Sequence, residues 1–172
     1  MSSQTTYRCE RCGERHDSAP LAYGVAAPDY WDQSLADRKS SVLDQELCVI
    51  NNEHFFIRGR IVIPVIDAPD GGEFEWGAWV SLSRENFHRA VSLLTSPSRS
   101  DEPPYFGWLS TGLPLYQPTT LQLKAHVHTQ SAGTRPLIEL EPTDHPLAVE
   151  QRTGITLERV QAIAETLLHG FS

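Results

Sequence analysis

No apolar run in this chain approaches the roughly 20 residues that a membrane-spanning helix needs; the longest, Ile61 to Ile66, is already interrupted by Pro64. Met1 to Arg8 is polar and has no signal-peptide h-region, so the expectation is a soluble, cytoplasmic protein. Positive charge is scarce: 14 Lys and Arg face 22 Asp and Glu, a formal net charge of −8. That balance argues against nucleic acid, whose binding surfaces carry a basic patch, and against an anionic membrane. Only three cysteines are present, and without an export signal a disulfide is not expected. The chain has no G-x-x-x-x-G-K-[ST] phosphate loop, no G-x-G-x-x-G after a strand, no G-x-S-x-G and no H-E-x-x-H. These absences set aside the enzyme classes those motifs mark, though not enzymes with unmarked sites. Repeats and low-complexity stretches are missing too.

What remains is a chain of one-domain length, 172 residues. Folding at this size buries roughly 70% of the extended chain's surface, enough for one core. Leu47–Ile50, His54–Arg60 and Ile61–Ile66 read as strands, with a bulge or bend at Gly59. Asp70-Gly71-Gly72 is a turn, after which Phe74, Trp76, Ala78, Val80 and Leu82 alternate on one face of a returning strand. Trp79 points to the other face, so the sheet is expected to be covered on both sides there. Ser83 is a candidate N-cap for a helix with the stripe Phe87, Ala90, Val91 and Leu94. Arg99 to Pro104 reads as a polar, mobile loop and Tyr105 to Leu109 as a further strand. Leu121 to Thr129 alternates, Ser131-Ala132-Gly133 turns, and Pro136 to Leu140 returns. A short helix in Ala26 to Lys39, one capped by Asp144, and a final one from Thr156 to a C′ glycine at Gly170 complete the reading. The expected fold is α+β, a mainly antiparallel sheet flanked by helices, with an N-terminal zinc-knuckle-like loop. Within the single domain 1–172, residues 7–20 form the metal-binding loop, 46–141 the sheet with one helix, and 144–170 the C-terminal helices.

The strongest chemical signal is Cys9-Glu10-Arg11-Cys12-Gly13. Two cysteines with two residues between them can place both thiolates on one Zn²⁺ in a tight turn. Gly13 suits the dihedrals such a turn needs, and His16 follows at a reachable distance. The segment has too few apolar residues to order itself by burial. A structural zinc takes four ligands. Cys48 is the one remaining cysteine, so Cys9, Cys12, His16 and Cys48 make a Cys₃His set, with His54 as an alternative fourth ligand. Against this, Cys48 sits in an apolar run and reads equally as a small buried hydrophobe. A redox reading of the pair needs a preceding apolar strand and a helix N-terminus, and no such strand precedes Cys9.

Other groupings are weaker. His126 and His128 share a strand face and could bind metal, yet no third ligand lies near them, and a solvated polar face is the simpler reading. Arg58 and Arg60 share a face around Gly59; paired with carboxylates they are structural, and in a cleft they bind an anion. Tyr105-Phe106-Gly107-Trp108 with Tyr116 is an aromatic cluster that reads as core, with the lining of a pocket or partner surface as the alternative.

Cys9-x-x-Cys12-Gly13-x-x-His16, FFIRGRIVIPV (55–65), WGAWVSLS (76–83), YFGWLS (105–110) and LIELEPTDHPLAVEQRTGI (137–155) together resemble the bacterial domain-of-unknown-function family 2199. The resemblance runs from about Tyr7 to the last helix and implies a bacterial, single-domain protein. It implies no activity and transfers no functional residue. The expected function is thus a binding or interaction module stapled by one structural zinc, its acidic surface suited to a basic protein partner. The alternative is a hydrolase-like enzyme with a polar pocket of Arg58, Asp144 and His145, with a metal at His126 and His128.

Overall fold

The computed structural model describes residues 6–16 and 19–169. Two short strands, β1 (Tyr7–Arg8) and β2 (Arg15–His16), form an N-terminal ribbon by themselves. Then come β3 (Ala22–Tyr23), β4 (Val42–Leu43), β5 (Leu47–Ile50), β6 (His54–Pro64) and β7 (Glu73–Leu82). Helix α1 (Arg84–Ser92) leads to β8 (Tyr105–Leu109), β9 (Lys124–His128) and β10 (Leu137–Leu140). Helices α2 (Pro146–Thr153) and α3 (Leu157–His169) close the described chain.

The sheet is not simply antiparallel. Strands β6 to β10 run as an antiparallel meander, and β10 then pairs with β6 in parallel, closing a five-stranded barrel. The parallel seam follows from the count: in an up-and-down run the first and fifth strands point the same way. Hairpin signals in the sequence report only neighbouring strands, so this closure was invisible to them. A second parallel pair, β3 on β7, and the β5–β4 extension of β6 make the whole sheet mixed.

Period two decides what fills the barrel. Ile57, Ile61 and Ile63 from β6, Phe74, Trp76, Ala78 and Val80 from β7, Leu109 from β8, Ala125 and Val127 from β9, and Ile138 from β10 are all essentially buried in one core. Closure requires close backbone approach at the seam. A Cβ on Gly59 would stand 2.8 Å from Ile138 Cγ1 and 2.9 Å from the Pro136 carbonyl oxygen, so this position is glycine because β10 lies against it. No bulge interrupts Gly59: β6 runs unbroken from His54 to Pro64 and pairs residue for residue with β7. On the outer face Trp79, Phe56, Cys48, Ile50 and Leu35 form a second cluster, as the orientation of Trp79 required.

Helix caps follow local chemistry. Ser83 Oγ accepts from Asn86 N and starts α1. In the 26–39 segment the helix is only a 3₁₀ turn, Gln33–Asp37, capped by Asp32. At α2 the cap is His145 and not Asp144: its Nδ1 accepts from Leu147 N, with Pro146 at the first helical position. Thr156 Oγ1 accepts from Arg159 N and starts α3; the expected C′ glycine, Gly170, lies outside the described residues. The segment 99–104, expected to be mobile, is tied down. Arg89 donates two hydrogen bonds to Glu102, at 3.0 and 2.7 Å, and the Tyr105 hydroxyl donates a third.

Candidate metal centre

Between β1 and β2 the chain makes a tight turn: Gly13 N donates to the Cys9 carbonyl at 2.8 Å and Cys9 N to the Glu14 carbonyl at 2.9 Å. Gly13 takes φ 75°, in the left-handed region that its sequence position predicted. This turn brings Cys9 and Cys12 together, and β2 adds His16. The fourth donor is His169, the last residue of α3, which sequence reasoning missed. One ligand atom from each of Cys9, Cys12, His16 and His169 lies within 4.8 Å of every other. Cys9 Sγ is 3.1 Å from His169 Nε2 and Cys12 Sγ is 3.2 Å from His16 Nε2. Cys9 is buried, His16 half-buried, and Cys12 and His169 exposed. Two sulfurs and two imidazole nitrogens converging in this way could hold a metal ion.

Helix α3 holds the turn as well as completing it. Val160, Ile163 and Ala164 face the core, while Gln161, Glu165 and His169, four residues apart in turn, form a second stripe on the same helix. Glu165 Oε1 accepts from Glu10 N and from Gln161 Nε2, both at 3.0 Å, and Gln161 Nε2 also reaches the Arg8 carbonyl. These bonds, first that from Gln161 and then that from the Glu10 backbone, pull the Glu165 carboxyl below its usual range. The carboxylate therefore anchors the backbone beside Cys9 rather than standing free.

Cys48 is the correction to the expected ligand set. It lies on β5, completely buried against Leu35, Ile50, Phe56 and Trp79, and takes no part in the four-donor group. Burial, with a smaller contribution from Asp44, pushes its thiol up to about 12, so it behaves as an apolar side chain. The alternative, His54, is exposed at the start of β6 and is likewise outside the group. No helix begins at Cys9 or Cys12, the geometry a redox pair would use. Among the described residues all three cysteines are free.

The residues of the expected enzyme pocket are dispersed. Asp144 is exposed. His145 is buried with both ring nitrogens engaged, Nδ1 accepting from Leu147 N and Nε2 donating to the Pro118 carbonyl at 2.8 Å. Arg58 lines a cavity to which neither Asp144 nor His145 contributes. His126 and His128 do share a face, but each meets a carboxylate on or just after β10, Glu141 at 3.2 Å and Glu139 at 3.4 Å.

The family described as "Uncharacterized protein conserved in bacteria (DUF2199)" matches residues 8–155, and the chain belongs to it. Cys9, Cys12 and His16 fall within the matched span, whereas His169 lies beyond it. No curated protein and no solved structure matches the chain. Among the described residues no helix is long and apolar enough to cross a membrane.

Proposed function

We propose that this protein is a small binding module whose N-terminal turn and C-terminal helix are stapled by one structural zinc ion on Cys9, Cys12, His16 and His169. The observation that carries the reading is the convergence of four donors, two sulfur and two nitrogen, within 4.8 Å of one another. Tetrahedral zinc with Zn–S near 2.3 Å and Zn–N near 2.0–2.1 Å sets ligand sulfur and nitrogen about 3.5 Å apart. The sulfur–nitrogen distances of 3.1 and 3.2 Å sit close to that value. Two thiolates neutralise the divalent ion, and four protein ligands leave no open position for a substrate. The role is therefore mechanical: metal binding orders a turn that has almost no core of its own. A reducing, cytoplasmic setting, in which the thiols stay available, belongs to the same reading.

The binding partner proposed is a basic protein, because a net charge of −8 steers and orients such an encounter. Two measurements test the proposal. Metal analysis of untagged, reduced protein is expected to give one zinc per chain, lost in Cys9→Ser; metal-free wild type would overturn the staple. Pull-downs are expected to enrich a basic protein over a charge-matched acidic control, and equal recovery by both would remove the partner proposal while leaving the staple intact.

A further inference from the structure

One cavity runs against the charge of the whole molecule. In a chain with a net charge of −8, four of the 14 basic residues, Arg58, Arg60, Arg99 and Arg135, line a single cavity of about 600 Å³ with Glu46 as the only acid among them. Arg58 and Arg60 leave β6 on the same face, on either side of the barrel seam at Gly59. Arg135 comes from the β9–β10 turn and Arg99 from the 3₁₀ turn Arg99–Asp101 after α1. Like charges gathered from three elements repel one another, so the arrangement costs stability unless something answers it.

The protein answers it only in part. Arg135 is held in a fork by Glu46, with three N···O contacts between 2.9 and 3.1 Å. Arg60 approaches Glu75 at 3.6 Å, and Arg58 donates once, to the Gln45 carbonyl at 3.2 Å. The Nε groups of both Arg58 and Arg60 are buried without a hydrogen-bond partner among the described residues. Arg99 makes no hydrogen bond or ion pair with any described residue, and its guanidinium keeps contact with the open cavity it lines. A buried N–H without a partner, as at Arg58 and Arg60, is rare because its desolvation goes uncompensated. Burial and the nearby Arg135 also depress the Arg58 guanidinium below its usual range, in keeping with excess positive charge.

We infer that this cavity is a binding site for a small organic phosphate, its oxyanion held by Arg58, Arg60 and Arg99 against the wall built by the Arg135–Glu46 pair. A phosphate monoester brings close to two negative charges and three acceptor oxygens on one centre, and guanidinium forks match that geometry. The cavity volume falls in the range of small-molecule sites. Leu47, Ile57 and Leu94 on its wall offer apolar contact to the organic portion.

The test is calorimetric titration of the metal-loaded, full-length protein with inorganic phosphate, phenyl phosphate and succinate, against chloride at matched ionic strength. Saturable binding of phosphate is expected, tighter for phenyl phosphate and weaker for succinate. Succinate binding more tightly than either phosphate would overturn the phosphate assignment, and no saturable binding of any of them would overturn the site. Arg99→Met is expected to weaken phenyl phosphate at least tenfold and to raise the melting temperature in phosphate-free buffer, because it relieves the repulsion among the four arginines that line the cavity. A purely structural arginine would give the opposite, a lower melting temperature with unchanged affinity. Arg58→Gln and Arg99→Lys are titrated alongside, so a variant that fails to fold does not decide the matter; unchanged affinity in both would also overturn the proposal.

Discussion

At the scale of single residues, Cys48 and His169 exchange the roles that spacing suggested for them. Cys48 is buried completely and its thiol is pushed up to about 12. Cys48→Ser is accordingly expected to keep its metal while losing roughly 1–3 kcal/mol of stability, the cost of burying a hydroxyl without a partner; equilibrium denaturation beside metal analysis reads both. Alkylation should agree: in chelator-treated native protein Cys12 reacts, whereas Cys48 reacts only after denaturation. His169→Ala is expected to weaken metal binding by more than the roughly 10–100-fold that loss of an outer-shell partner costs, measured by competition with a calibrated chelator. Cys9, Cys12 and His16 were legible because a metal turn is local and its spacing is written in adjacent residues. His169 was not, since it lies 160 positions from Cys9 and only the docking of α3 brings it there. Nominating Cys48 followed from ligand type alone; its apolar neighbours Leu47, Val49 and Ile50 already carried the opposite signal.

Among elements, the connection from α1 to β8 shows how a polar, proline-rich segment becomes fixed. Arg89 on α1 grips Glu102, and with the Tyr105 hydroxyl it holds that carboxyl at about 2 instead of its ordinary 4.5. The folded value lies below the unfolded one, so the tie contributes fully above about pH 4.5 and is lost as pH falls toward 2. Comparing wild type with Glu102→Gln in melts across that range should therefore show a difference that shrinks as the medium is acidified. A constant difference would mean that the carboxylate charge is not what matters. On α3, Glu165→Gln keeps the shape but weakens the acceptor for Glu10 N, and metal affinity is expected to fall about tenfold. Period 3.6 offers the stripe Val160, Ile163, Ala164, Leu167 and Leu168, of which the first three are buried, Leu167 packs against the core and Leu168 is exposed; the second stripe, Gln161, Glu165 and His169, carries no apolar signal and was not readable.

For the whole molecule, the core and the four-donor group are separate structures. The buried cluster spans the barrel strands and all three helices, while the Cys9–Cys12 turn sits on the ribbon β1–β2, outside that cluster. Chelation is therefore expected to release the turn and lower the melting temperature while the near-ultraviolet signal of Trp76, inside the barrel, and of Trp79, buried on its outer face, persists. Neighbouring strand pairs and the two-sided cover over Trp79 could be read from alternation and turn residues. The closed barrel could not, because the β10–β6 seam joins segments more than 70 positions apart, at Leu137 and Arg60, through one glycine that reads locally as a bend.

X-ray absorption at the zinc edge of the metal-loaded, reduced protein tests the central claim most directly. A first shell of two sulfurs near 2.3 Å and two imidazole nitrogens near 2.0–2.1 Å is expected, with one nitrogen missing in His169→Ala. A shell of three sulfurs and one nitrogen would return Cys48 to the site and contradict the assignment of His169.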